Sequence, residues 1–236
     1  MASVLLAAED AGLAVRPIIL KDSIRGYFTE IDRTRVIVDP SRDLSEDTRR
    51  RLRRANGPVF CFIGGIKHMS MGIRRHPQPF DFVLPESPDL PLEQGAEIIP
   101  ASALREMLRA ATQPYLTILQ MIAELAPGPV YQFEPPPPVP DSWLWEKIRW
   151  RQQRGRDEPG ELPARLVRFK LWRLNTLIMS EFTEELRIRF VPHPPEAVDS
   201  EGFLLPDLVS NGTHANQAYG ALILDQLTSL EPELRR

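Results

Sequence analysis

Short apolar runs of four to six residues alternate along the chain with stretches of helical periodicity. That alternation is the pattern of a mostly parallel sheet covered by helices on both faces. The runs predict strands over Val15–Leu20, Arg35–Val38, Val59–Ile63, Val130–Phe133 and Ile188–Val191. Helices are predicted over Ala2–Ala11, Ser45–Ala55, Ser102–Ala126, Ser142–Arg151, Ala164–Leu186 and Thr213–Leu230, with Pro114 as a break point in the third. The second helix has Ser45 as its N-cap, Glu46 and Asp47 in the first turn, and Arg49 to Arg54 supplying five arginines toward its end, all in the sense that complements the macrodipole. In the last helix Tyr219, Leu222, Ile223, Leu227 and Leu230 recur at helical spacing as a core-facing stripe. The fold class that follows is α/β, a three-layer α/β/α arrangement.

The 236 residues suit one domain spanning 1–236. A hydrophobic share of 42% and a charged share of 26% are those of an ordinary globular chain. The formal charge of -3 exerts no general pull toward nucleic acid or a membrane surface. No stretch approaches the ~20 apolar residues of a membrane span, since Leu116–Ala126 is interrupted by Gln120 and Glu124. The apolar run Val4–Ala8 has no basic residue before it and meets Glu9 and Asp10 at once, so a signal peptide is not expected and a cytoplasmic location is. Cys61 is the single cysteine and lies within an apolar run, which excludes an intrachain disulfide and makes it a small core residue. Of the 24 prolines, eight gather in two clusters, Pro135–Pro138 with Pro140 and Pro192 with Pro194 and Pro195. Both clusters follow predicted strands and read as stiff loops leaving strand ends.

A helical segment at about 141–187 is rich in tryptophan and arginine. Between Asp141 and Arg173 nine basic residues stand against five acidic ones, a local net of +4, interleaved with Trp143, Trp145, Trp150, Phe169 and Trp172. Such a mixture can bind single strands or acidic ligands. Long basic side chains flanking a half-buried aromatic stripe are the commoner case, and no nucleic-acid partner is expected. The segment also fits a lid or a dimer surface.

The chemistry gathers at Ser210-Asn211-Gly212-Thr213-His214-Ala215-Asn216, a polar turn that delivers a histidine to the start of the last helix. Open α/β sheets collect their site residues at such strand-to-helix edges. This turn, with Phe203-Leu204 before it and Ala218-Tyr219-Gly220 after it, resembles the C-terminal block of the SGNH/GDSL hydrolase superfamily. A second block, Phe62-Ile63-Gly64-Gly65-Ile66-Lys67-His68, looks like the family's oxyanion-hole strand end. The resemblance implies a flavodoxin-like sheet and a serine hydrolase of carboxylic (acyl) esters, with a small-molecule ester as substrate and no cofactor. It makes His214 the general base. The family's Asp three residues earlier is Asn211 here, which can orient an imidazole but cannot stabilise imidazolium by charge, and Asp207 is a substitute. Gly65 and Ile66 become the backbone oxyanion donors, although Ile66 replaces the family's side-chain amide, and His68 matches a polar position of the pattern.

For the nucleophile two readings stay open. In one, Ser23 within Ile18-Ile19-Leu20-Lys21-Asp22-Ser23 is the serine, with Lys21 in place of the family's glycine. About a dozen residues would then separate it from the next strand, barely the ~10–12 of a crossover connection. In the other, Met1–Ala8 begins the helix that follows the nucleophile, and the serine lies upstream of Met1. The histidines show no ligand spacing, and neither HExxH nor CxxC occurs, so no metal is expected. The alternative in another class is a catalytically inactive protein of the same fold that binds a ligand or partner through the tryptophan-rich segment.

Overall fold

A computed structural model describes residues 2–12, 44, 46–64, 67–72, 76–153, 162–211 and 214–231. The predicted strands Val15–Leu20 and Arg35–Val38 lie outside these residues, as do Ser45, Ser23, Gly65, Ile66 and Thr213. Three strands, β1 (Val59–Cys61), β4 (Val130–Phe133) and β5 (Arg189–Val191), form a parallel sheet in the order β1-β4-β5. Val59 pairs with Val130 and Cys61 with Gln132, while Tyr131 pairs with Arg189 and Phe133 with Val191. Each predicted run forms a strand where the chain is described, shorter by up to two residues because pairing ends where a neighbour does.

Seven α-helices surround the described strands: α1 (Ala2–Asp10), α2 (Glu46–Arg53), α3 (Lys67–Gly72), α4 (Ala101–Leu125), α5 (Asp141–Gln152), α6 (Arg165–Glu185) and α7 (Gln217–Leu230). Side-chain alternation along the strands separates two cores. Tyr131, Phe133 and Val191 face α1 and α7 through Val4, Ala7, Ala8, Ile223 and Leu227. Cys61, Val130 and Ile188 face α2, α4 and α6 through Leu52, Leu116, Leu119, Ile122 and Met179. Helices therefore cover both faces of the sheet, and β4, buried at every position, is its centre. Burial pushes the Cys61 thiol up to about 12, so it packs as the predicted small core residue.

α4 runs unbroken for 25 residues through Pro114, contrary to the expected break. The missing N–H costs one helical hydrogen bond, and burial of Leu108, Thr112, Leu116 and Leu119 on either side holds both halves to one surface. The last helix begins at Gln217, four residues later than predicted. Its N-cap is Asn216, whose side chain accepts from the Tyr219 N–H at 3.2 Å and donates to the Asp207 carbonyl at 2.7 Å. The residues ahead of it pair instead as a small antiparallel hairpin, β6 (Val209–Asn211) with β7 (His214–Ala215).

A third apolar cluster, unforeseen from the pattern, lies where residues 76–99 fold over α4 and α6: Phe82 and Leu84 meet Leu104, Leu108, Leu171 and Leu174. Two residue pairs form a minimal parallel ladder here, β2 (Phe80–Asp81) with β3 (Glu97–Ile98). Lys170 of α6 anchors this excursion. Its side chain is fully buried and its ammonium reaches both Asp81 carboxylate oxygens and the Pro91 carbonyl at 3.0 Å. Asp81 also accepts the Phe82 and Glu93 N–H groups at 2.7 and 2.8 Å, so each charge is saturated. Replacing Lys170→Met while Asp81 remains is expected to lower the unfolding free energy by about 3–5 kcal/mol, because the carboxylate is left buried and uncompensated. Urea-induced unfolding followed by tryptophan fluorescence measures this, and a loss under about 1 kcal/mol would show that the pair does not hold the segment.

Candidate functional site at the carboxyl edge of the sheet

Parallel strands direct their C-terminal ends to one edge, where loops open a crevice. β1 leads there through Phe62 and Ile63 to Gly64, whose φ of +93 lies in the left-handed region; a Cβ would stand 3.1 Å from the Met179 sulfur. β4 is followed directly by Glu134, and β5 leads through Pro192 to His193. Because Phe133 is in register with Val191, these two residues leave the sheet side by side.

Glu134 is almost wholly buried, yet every face of its carboxylate is met. One oxygen accepts from His193 Nδ1 at 2.7 Å and from the His193 backbone N–H at 3.0 Å. The other accepts from the Thr176 hydroxyl and, at 3.4 Å, from the Arg173 guanidinium. Burial pushes its pKa up, but the His193 ring, the Thr176 hydroxyl and the His193 amide together hold it below the usual carboxylate range. An ionised carboxylate only accepts, so His193 carries its proton on Nδ1 when neutral. Arg173 is itself gripped by Glu86, at 2.5 and 3.0 Å. The His193 ring packs edge-on to Trp172 at 5.2 Å, and the Trp172 indole N–H is tied to the Pro135 carbonyl at 3.1 Å.

Three further buried polar side chains border this pair. Tyr219, in the first turn of α7, has a hydroxyl with no partner among the described residues, and burial with the nearby Glu134 charge raises its pKa. Asn175 of α6 is fully buried, and among the described residues neither amide atom finds a hydrogen-bond partner at full geometry. It lies against the His68 ring, whose Nδ1 likewise has no partner among the described residues. Burial lowers His68 to about 4, against the opposing influence of Asn175 and of the Glu134 charge. His68 is thus a neutral interior histidine on α3 rather than a residue lining an open pocket.

His214 is exposed on β7, ahead of the helix rather than within its first turn, and its cross-hairpin neighbour is Asn211. Asp207 is also exposed, in the 3-10 turn Pro206–Leu208, and it meets the α7 cap through its carbonyl oxygen. The hairpin thus brings Asn211 and His214 together. Sequence reasoning missed Glu134, His193, Thr176, Arg173 and Asn175. The signal present was a titratable residue within two positions of the end of each of two apolar strand runs, beside a proline cluster: Glu134 directly after Phe133, and His193 between Pro192 and Pro194. Among the described residues no three His, Cys, Asp or Glu side chains converge as a metal site, and no helix is long and apolar enough to cross a membrane.

Because the folded His68 value of about 4 lies below the unfolded 6.5, the unfolded chain takes up a proton that the native state refuses as pH falls between them. Stability contributed by the neutral ring is therefore present above pH 6.5 and declines toward pH 4, by on the order of 3 kcal/mol. Glu134 acts lower: its depressed value adds stability above the ordinary carboxylate range that is lost as pH falls through the folded value. Unfolding free energies of the unaltered chain and His68→Leu, measured from pH 8 to 4, are expected to diverge through the upper window; parallel curves would contradict the neutral burial. No family model, curated protein or solved structure matches the chain.

Proposed function

We propose that the chain is an SGNH/GDSL-type hydrolase of carboxylic esters whose reaction centre is the carboxyl edge of the β1-β4-β5 sheet. The observation that carries this reading is the gathering at that edge of a glycine turn, a buried ionised carboxylate and an imidazole bonded to it. Ester hydrolysis needs a base fixed in one tautomer, a nucleophilic hydroxyl and donors for the developing oxyanion. Three parallel strands that follow one another across the sheet in the order of the chain, with helices on both faces, suit the second half of a flavodoxin-like 2-1-3-4-5 sheet. In this reading the nucleophile is Ser23, and Gly65 and Ile66 supply the backbone N–H groups for the oxyanion. A histidine of the edge is the base: His214 with Asn211 or Asp207 by resemblance, or His193 by its carboxylate contact. Cytoplasmic residence belongs to the same reading.

A second reading is favoured by α5, where Trp145 and Trp150 are 38% and 39% exposed and Ser142, Trp143, Trp145, Glu146 and Arg149 line an open groove. Exposed aromatics beside a guanidinium suit ligand or partner binding without chemistry.

Turnover of p-nitrophenyl esters separates the two. The unaltered chain is expected to hydrolyse a short acyl ester, and a double variant His193→Ala/His214→Ala to lose roughly 10²-fold or more of kcat. Turnover that is absent in the unaltered chain, or unchanged in the double variant, would remove the hydrolase reading.

A further inference from the structure

We propose that His193, held by Glu134, is the general base of this edge, in place of His214. The assignment rests on the hydrolase reading above and names the proton carrier that reading leaves open.

The first argument is tautomeric. A working base needs one nitrogen bound to an orienting acceptor and the other presenting a lone pair. His193 Nδ1 lies 2.7 Å from Glu134 Oε2, and the same oxygen takes the His193 backbone N–H at 3.0 Å, so ring and main chain are clamped to one carboxylate oxygen. No described residue bonds Nε2, and the His193 side chain keeps 19% of its surface while that of Glu134 keeps 1%. The carboxylate is thus inside and the imidazole is the partly exposed member of the pair. The second argument is rigidity. Trp172, almost fully buried and tied to Pro135, fixes the ring plane from α6. The prolines on either side, Pro192 and Pro194, fix the backbone φ angles flanking the histidine. The third argument is charge. Asn211, across the hairpin from His214, is an amide and cannot stabilise imidazolium by charge, whereas Glu134 can.

The groups facing the pair come from several elements: Arg173 and Thr176 from α6, His68 from α3, Tyr219 from α7, and Glu86, which engages Arg173 from the segment before α4. Arg173 shares its charge between Glu86 and Glu134, so Glu134 keeps part of its own for His193. In the reaction His193 Nε2 takes the proton of the attacking serine hydroxyl as its oxygen bonds to the acyl carbon. The imidazolium returns that proton to the alkoxide as the ester C–O bond breaks, releasing the alcohol. Water then repeats the sequence: Nε2 takes its proton as it attacks the acyl-enzyme, and the proton goes to the serine oxygen as the acid departs. Glu134 touches no reacting atom and is a positioning residue.

The test compares His193→Ala, His214→Ala and Glu134→Gln in p-nitrophenyl ester hydrolysis by the full chain, each checked for retained fold by circular dichroism. His193→Ala is expected to lose roughly 10²–10⁴-fold in kcat and to regain turnover when free imidazole is added, which His214→Ala does not. Glu134→Gln is expected to keep KM within roughly threefold while kcat falls, and to move the acid limb of kcat/KM to lower pH, because an amide stabilises imidazolium less. A merely structural Glu134 would leave that limb in place. Nitrogen-15 NMR of the unaltered chain at neutral pH is expected to show His193 protonated on Nδ1, and the reverse tautomer overturns the assignment even where a variant unfolds. Unaltered turnover in His193→Ala, with loss in His214→Ala, overturns this assignment alone and leaves the hydrolase reading standing. Absence of turnover in the unaltered chain removes both.

Discussion

A charge buried at the end of a central strand must be met from every side, and Glu134 makes that demand where β4 leaves the sheet. Its answers come from far apart in the chain: His193 at the end of β5, and Thr176 and Arg173 from α6. Removing any one partner leaves part of an ionised carboxylate exposed to a medium that cannot solvate it. The strand register, the path of the proline loop after β5 and the rotation of α6 are therefore bound together by one carboxylate. Its depressed pKa is the thermodynamic trace of those contacts, since hydrogen bonds to the charged form outweigh the cost of burial.

α6 carries the other half of that constraint. Between Arg165 and Glu185 it buries Arg168, Lys170, Asn175, Thr176 and Thr183 beside Leu171, Trp172, Leu174 and Met179. An amphipathic stripe alone would not choose this orientation. Lys170 needs Asp81, Arg168 donates to the Val139 carbonyl at 2.8 Å and pairs with Asp141, and Thr176 needs Glu134. Burial lowers Arg168 to about 10 even with Asp141 beside it, a measure of how far the guanidinium has left water. Satisfying these groups at once admits few rotations of the helix, and the accepted one sets Trp172 against His193. Apolar packing supplies adhesion here, and the buried charges supply direction.

Much of the fold was legible because it depends on neighbours in sequence. Val59 to Ile63, Val130 to Phe133 and Ile188 to Val191 are apolar runs too short for helices, and each yields a strand of the parallel sheet. The stripe of Tyr219, Ile223 and Leu227 packs into a core as its spacing requires. Where local rules competed, tertiary demands prevailed. Pro114 did not break α4, and the last helix surrendered its first predicted residues to a hairpin once Asn216 could cap it and reach the Asp207 carbonyl.

The candidate site was far less legible. His214 drew notice through a motif, yet it lies exposed on a hairpin, while His68, matched to a polar position, became a neutral interior ring. Pattern alone determined the strand runs, the helices that cover both faces and the proline-stiffened exits at two strand ends, since these follow from periodicity and from the fixed φ of proline. Only the tertiary structure decided that Glu134 and His193, 59 residues apart, share a hydrogen bond, and that Lys170 and Asp81, 89 apart, share a buried charge. Parallel strands meet through long crossovers, so their register, and with it the partner of any residue just past a strand end, depends on how the intervening helices pack. No local property of the residues at those ends carries that information.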